Sequence, residues 1–212
     1  MIHAVFLGTP AAAVPALAAL RGVASIDLVV TRADKPRGRS GRPQPSPVKE
    51  AASEWGLEVR QPETAAELTT VLAGTGADVG IVVAYGHILR SEALASLPGG
   101  FLNVHFSHLP RWRGAAPVSQ AILPGDATTG VTLIAVDAGL DTGPVVARTE
   151  PVPVGDHDRG SLTALLAAAG AGLLAGTLAP YMAGAMPLQP QDDAAATRAP
   201  MLTRAGGRIG WD

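Results

Sequence analysis

The residues with the clearest chemical potential lie in Phe101-Leu-Asn-Val-His-Phe106, where Asn103 and His105 stand two apart inside an apolar run. Strand side chains alternate faces. An extended backbone therefore aims Asn103 and His105 from one face and packs Leu102, Val104 and Phe106 on the other. Two polar groups side by side on an interior strand are costly unless a partner or ligand satisfies them. A second stretch, Val136-Asp-Ala-Gly-Leu-Asp-Thr-Gly143, sets Asp137 and Asp141 in a glycine-containing loop after another strand-like run. An amide, an imidazole and a carboxylate brought together suit direct acyl transfer to an amine, with no serine or cysteine nucleophile required. The amide would stabilise a developing oxyanion. The imidazole would share that charge or move a proton, and the acid would orient the imidazole and help to deprotonate the amine. One oxyanion donor is worth roughly 3–4 kcal/mol of barrier. The same pieces also occur as a satisfied core pair and as a turn-forming Asp, and spacing alone does not join the two stretches.

The elements that must position these groups alternate between strand and helix. Apolar runs at His3–Gly8, Ile26–Thr31, Asp78–Ala84, Phe101–Phe106 and Val131–Val136 read as strands, with a short one at Leu57–Arg60. Helical patterns cover Pro10–Arg21, Ser46–Trp55, Ala65–Ala73 and Ala115–Leu123, with Ser46 as an N-cap followed by Pro47. Such alternation predicts an α/β domain: a Rossmann-like, doubly wound, mostly parallel sheet covered on both faces, with ligands beyond the carboxyl ends of its strands. The first strand-to-helix turn, Gly8-Thr9-Pro10, lacks the three-glycine pyrophosphate fingerprint, and no phosphate-cradling Gly-Lys-Ser/Thr loop follows. A nucleotide cofactor is disfavoured.

The 212 residues can bury roughly 70% of the surface exposed by the unfolded chain. Hydrophobic content of 47% and charged content of 16% fit a soluble globular protein. The absence of cysteine excludes disulfides, thiolate metal sites and a cysteine nucleophile. No His/Asp/Glu spacing suggests a metal either. The opening MIHAVFLGTP has no cationic leader, so no secretory signal is expected, and a cytoplasmic location is. The Ala-rich stretch Leu162–Ala179 is broken by Gly170, Gly172 and Gly176, which predicts a buried helix and no membrane partner. A net charge of −2 leaves nucleic-acid binding to local patches. The densest patch runs from Arg32 to Lys49, where Arg32, Lys35, Arg37, Arg39, Arg42 and Lys49 face Asp34 as the sole acid. Its glycines and prolines predict a long irregular loop that either binds something or is simply solvated.

At these residues the chain resembles the formyltransferase family that uses 10-formyltetrahydrofolate. The shared pattern is Asn103-Val-His105, then Ser107-His108-Leu109-Pro110, with Asp141 inside Gly139-Leu-Asp-Thr-Gly143. Arg111-Trp-Arg-Gly-Ala-Ala-Pro117, Ala84-Tyr85-Gly86, Phe6-Leu-Gly-Thr-Pro10 and Pro45-Ser-Pro-Val-Lys49 are similar to the branch that acts on methionyl-tRNA. His108 departs from the pattern, which usually has leucine there. The resemblance implies the formyltransferase fold, formyl transfer from 10-formyltetrahydrofolate to the α-amine of initiator methionyl-tRNA, and Asn103, His105 and Asp141 as catalytic groups. It further implies a folate pocket built from Tyr85, Gly86, Ile88 and Leu89, the Ser107, His108, Leu109 and Pro110 turn, and the loop through Ala135–Asp141. Arg37, Arg39 and Arg42 correspond to tRNA contacts.

Beyond about Met186 the composition turns to Pro, Gln, Asp, Ala and Arg without periodicity, so residues 1–186 are expected to form the catalytic domain, of a monomer, and 187–212 an extended linker or tail. The resemblance implies that the family's C-terminal β-barrel domain lies outside these 212 residues. His3, His87 and His157 match no catalytic position. Alternative acceptors are an amino-sugar nucleotide or another small amine. Hydrolysis of the formyl donor is a further rival, and from another class so is a non-catalytic folate- or RNA-binding fragment.

Overall fold

The structure, a computed structural model, describes residues 1–36 and 41–203. Seven strands form the central sheet: β1 (His3–Gly8), β2 (Ser25–Val30), β3 (Val59–Arg60), β4 (Val79–Val83), β5 (Phe101–His105), β6 (Thr132–Ala135) and β7 (Val145–Arg148). Their spatial order is β7-β6-β5-β4-β1-β2-β3. The first five run parallel, whereas β6 is antiparallel to both β5 and β7. The mostly parallel, doubly wound reading therefore holds, with an antiparallel edge that side-chain pattern does not disclose. Helix α5 (Pro117–Ile122) has six residues and lies in the connection between β5 and β6. The chain enters β6 from the opposite end.

Both sheet faces are covered. Helices α1 (Val14–Leu20), α2 (Pro47–Glu54), α5 and α6 (Arg159–Met182) lie over one face, where Phe6, Ile81, Leu102, Val104 and Leu133 pack with Leu17, Ala52, Ala121, Leu166 and Leu174. Helices α3 (Ala65–Ala73) and α4 (Ser91–Leu94) cover part of the other, with Val5, Leu7, Leu68, Leu72, Ala93 and Phe101 at the contact. Ser46 caps α2 by accepting from the Lys49 N–H at 3.1 Å, and Pro47 fills its first turn, as the sequence predicts. Helix α6 is apolar and long enough to cross a membrane. Here Leu162, Leu166, Leu174 and Leu178 are buried in the core, and Gly170 brings the helix backbone against Val104 and Val131.

The described part of the basic segment contains a short antiparallel ribbon. Lys35–Pro36 pairs antiparallel with Pro43–Gln44, and Lys49 Nζ donates to Asp34 Oδ2 (2.7 Å) and Gln61 Oε1 (2.8 Å). Arg42 is exposed just before the second of these strands, while Arg37 and Arg39 lie outside the described residues. The described part of the segment read as a tail, residues 187–203, packs back onto the body. Gln189 pairs with Val145, and Arg198–Ala199 runs parallel to Arg113–Gly114.

Candidate active site

Strand β5 aims its residues as alternation requires. Leu102 and Val104 join the core beneath α6, and Asn103 and His105 rise from the opposite face. Because β6 is antiparallel, the loop that follows it leaves near the start of β5. That loop bends back across the sheet, and Asp141 arrives over Asn103 and His105. Asn103 Nδ2 donates to Asp141 Oδ1 at 3.2 Å, and His105 Nδ1 stands 3.6 Å from Asp141 Oδ2. The second oxygen also accepts from the Gly114 N–H at 2.9 Å. The His105 and Asp141 side chains are 6% and 12% exposed, so these contacts compete with little water. Asp141 holds φ +55°, a left-handed conformation uncommon for any residue but glycine. Asp137, the other acid of the loop, accepts from the Gly139 N–H (3.0 Å) and the Thr142 hydroxyl (2.7 Å), which is turn-forming work.

The ring of His105 is fixed at its far nitrogen. Nε2 lies 2.9 Å from the Trp112 carbonyl, and a carbonyl only accepts, so Nε2 carries a hydrogen. Trp112 itself has φ +66° and is held through its indole Nε1, which donates to Asp126 at 2.7 Å. Arg111 donates through Nε to the same carboxylate at 2.9 Å and stacks 4.3 Å above the Trp112 ring. The Arg111 hydrogen bond, more than burial opposes it, holds the Asp126 carboxyl below the usual range. Sequence reasoning misses Asp126, the Trp112 carbonyl and the Gly114 N–H. Two are backbone groups without a residue-type signature, and Asp126 reads as an ordinary turn acid after Gly125.

Beside this trio opens a cavity of about 150 Å³, lined by Val82, Ile88, Leu89, Ile134, Val136 and Leu140 together with Asn103 and Asp141. His87 also lines it and leans on the Tyr85 ring, centroids 5.5 Å apart. Burial, then the nearby Arg32 and Lys35 charges, push the His87 imidazole down from its ordinary value. No motif singles out His87 in the sequence. Its signal is local: it follows Ala84 and Gly86, both with positive φ, at the end of a central strand.

Of the residues assigned to a cofactor pocket, Ile88 and Leu89 line the cavity, Ile88 with its side chain largely in solvent. Tyr85 is buried in the core beside it, its phenol pushed up to about 12 by burial, and Gly86 turns the backbone at φ +84°. Ser107, His108, Leu109 and Pro110 do not line it. Their turn is anchored to β6, since Thr132 Oγ1 donates to the Ser107 carbonyl (2.7 Å) and accepts from the Leu109 N–H (3.0 Å). Leu109 packs on Ile134 and Val145 behind the cavity wall, and His108 points away toward Gly130 and the Thr149 carbonyl. Among the described residues no three His, Cys, Asp or Glu side chains gather to hold a metal.

Residues 4–176 match the family described as Formyl transferase. The chain is 44% identical over 209 residues to a methionyl-tRNA formyltransferase of Heliobacterium modesticaldum, covering 98% of this chain and 66% of that one. It is 48% identical over 202 residues to that of Halorhodospira halophila, covering 94% and 65%. It thus spans just under two thirds of the length of these curated relatives. Among solved structures, glycinamide ribonucleotide transformylase 1 from Symbiobacterium toebii superposes with a TM-score of 0.72 at 22% identity, covering 91% of this chain and 95% of that one. An N-formyltransferase from Helicobacter canadensis, in complex with folinic acid and dTDP-3-aminofucose, gives 0.71 at 19%, covering 97% and 72%. At those identities the likeness concerns the fold. The chain belongs to the formyl transferase family.

Proposed function

We propose that this chain transfers the formyl group of 10-formyltetrahydrofolate to the α-amino group of methionyl-tRNA, supplying initiator tRNA in the cytoplasm. The observation that carries the reading is the meeting of Asn103, His105 and the Asp141 carboxylate beside a largely apolar cavity that Asn103 and Asp141 line. The relatives at 44–48% identity, named for this reaction, supply the acceptor. The cavity fits the heterocyclic end of a folate. Its walls are largely aliphatic with a few polar groups, Asn103 and Asp141 among them, and its volume is below the roughly 300–1,000 Å³ of pockets that enclose a whole drug-sized ligand. Ile88 and Leu140, both well exposed at the rim, can cover what extends beyond it.

Bound there, the folate supplies an activated formyl carbon on N10. Asn103 has a second N–H on Nδ2 besides the one given to Asp141, and this donates to the formyl oxygen as negative charge grows on it. His105 Nε2 is committed to the Trp112 carbonyl, so Nδ1 is the atom that faces the reaction. Protonated, it donates to the same oxygen. Unprotonated, it accepts the proton that the attacking amine must lose. The Asp141 carboxylate beside Nδ1 complements an imidazolium and can pass that proton on, through water, toward the departing N10. The bond from amine nitrogen to formyl carbon forms as the N10–carbon bond breaks, and positioning of two bound reactants supplies much of the rate.

The test is formylation by this chain with 10-formyltetrahydrofolate and either methionyl-tRNA or small amines. Product is expected with methionyl-tRNA. Asn103→Ala, His105→Ala and Asp141→Ala should each lower kcat by about 10²- to 10³-fold. Near-wild-type turnover in these variants, with cooperative unfolding intact, sinks the site. Product from small amines alone moves the acceptor to the amino-sugar class.

A further inference from the structure

Residues Gln189–Ala199 follow α6 with a composition that marks them for no chemistry, yet they touch both loops that shape the candidate site. Gln191 is their centre. Its Nε2 donates to the carbonyls of Asp141 (2.9 Å) and Gly143 (2.7 Å), and its Oε1 accepts from Arg113 Nε at 3.0 Å. Arg113 sits between Trp112, whose carbonyl fixes His105, and Gly114, whose N–H fixes Asp141. The neighbours of Gln191 reinforce the same two loops. Thr197 Oγ1 accepts from the Trp112 N–H at 2.9 Å, and the Thr197 carbonyl accepts from the Arg113 N–H at 2.9 Å. Asp193 pairs with Arg113 Nη2 at 2.8 Å.

We propose that Gln191 is a positioning residue for formyl transfer, bridging the Asp141 loop to the Trp112–Gly114 loop so that one amide sets the reach of the carboxylate. The inference rests on the reading of Asp141 as a catalytic group. A non-glycine residue at φ +55° persists only where its surroundings over-determine it. Around Asp141 the side chains of Asp137 and Thr142 brace the loop from within, whereas Gln191 ties its backbone carbonyls to the loop opposite. Without those two donors the loop relaxes toward solvent. The carboxylate, already 3.6 Å from His105 Nδ1, then moves out of range.

Single-turnover and steady-state formylation by the full chain would test this in four variants. These are Gln191→Met, Gln191→Glu, Asp141→Ala and the double variant Gln191→Met/Asp141→Ala. Methionine keeps the shape without donors, and glutamate keeps an acceptor for Arg113 but cannot donate to the two carbonyls. Both single Gln191 variants should lose about 10- to 100-fold in kcat, the cost of misplacing a catalytic group by about 1 Å. KM for both substrates should stay within about threefold, and the pH–rate profile should move toward that of Asp141→Ala. In the Asp141→Ala background the Gln191→Met change should cost no more than about twofold, because the group it positions is gone. Thermal melts accompany each assay. If the methionine variant does not fold, the glutamate variant carries the same comparison. Equal losses in both backgrounds, a kcat within twofold of wild type, or a defect in KM alone overturns the inference while leaving the site intact. Full activity in Asp141→Ala overturns the underlying reading, and this inference with it.

Discussion

His108 shows how much a single side chain can say once its surroundings are known. The imidazole is half-buried against Gly130, where any added carbon would collide with the ring, and its Nε2 donates to the Thr149 carbonyl at 3.1 Å. Burial pushes it down from the ordinary 6.5, outweighing the Thr149 contact that favours the charged form. A histidine with a lowered folded value binds fewer protons folded than unfolded. Stability therefore falls as pH drops from about 6.5 toward the folded value, and levels off below it. His108→Leu removes the titrating group and with it this slope. Urea unfolding at pH 7.5 and pH 5 should show the wild type losing more stability on acidification than the variant. A decrease of equal size in both would place the pH dependence elsewhere. The same residue marks a limit of reading by type: a histidine inside the shared motif invites a pocket role, whereas the turn from Ser107 to Pro110 is tied to Thr132 and does not line the cavity.

At the scale of elements, the glycines of α6 separate into two kinds. A Cβ at Gly170 would lie 2.8 Å from Val104 Cγ1 and 3.2 Å from Val131 Cγ1, so the helix rests directly on β5 and the residue before β6. Gly172 and Gly176 face open space. Alanine at Gly172 should stabilise the protein by up to about 1 kcal/mol through helix propensity alone. At Gly170 the same gain is outweighed by about 1–3 kcal/mol of overpacking, and the substitution should destabilise. Denaturant midpoints of Gly170→Ala and Gly172→Ala check the sign of each. Shifts in the same direction would contradict the packing described for α6. The sequence makes both glycines look alike as breaks in an apolar stretch, because contact with the sheet leaves no mark on local pattern. It also shows β6 as a strand without showing its direction, since side-chain alternation is the same whichever way the chain runs.

Over the whole molecule, a net charge of −2 offers no general attraction to nucleic acid. Any grip on tRNA has to be local, and the Arg32–Lys49 segment is where cations concentrate. Lys49 is already engaged by Asp34 and Gln61, which withdraws it from that role. Arg42 lies exposed at the start of the short ribbon's return strand, and Arg37 and Arg39 belong to the same segment. Replacing Arg37, Arg39 and Arg42 by alanine should weaken methionyl-tRNA binding and flatten its dependence on salt. The slope of log affinity against log salt should fall by about 1 for each phosphate that is no longer neutralised. Filter binding across a salt series measures it. An unchanged slope would assign this segment to solvent.

By itself the sequence determined the α/β class, six of the seven sheet strands within a residue or two of their ends, the capped start of α2, and the types and facing of Asn103 and His105. These follow from near-neighbour physics: alternation, periodicity and capping act over a few residues and are written in order along the chain. Tertiary structure alone decided that β6 runs antiparallel and that Asp141, not Asp137, reaches back to the pair on β5. It alone brought in the Trp112 carbonyl, the Gly114 N–H and the Gln191 amide. The Gly114 and Gln191 contacts join residues 27 and 50 positions apart, and the Trp112 and Gly114 contacts use backbone atoms common to every residue, so no local pattern could announce them.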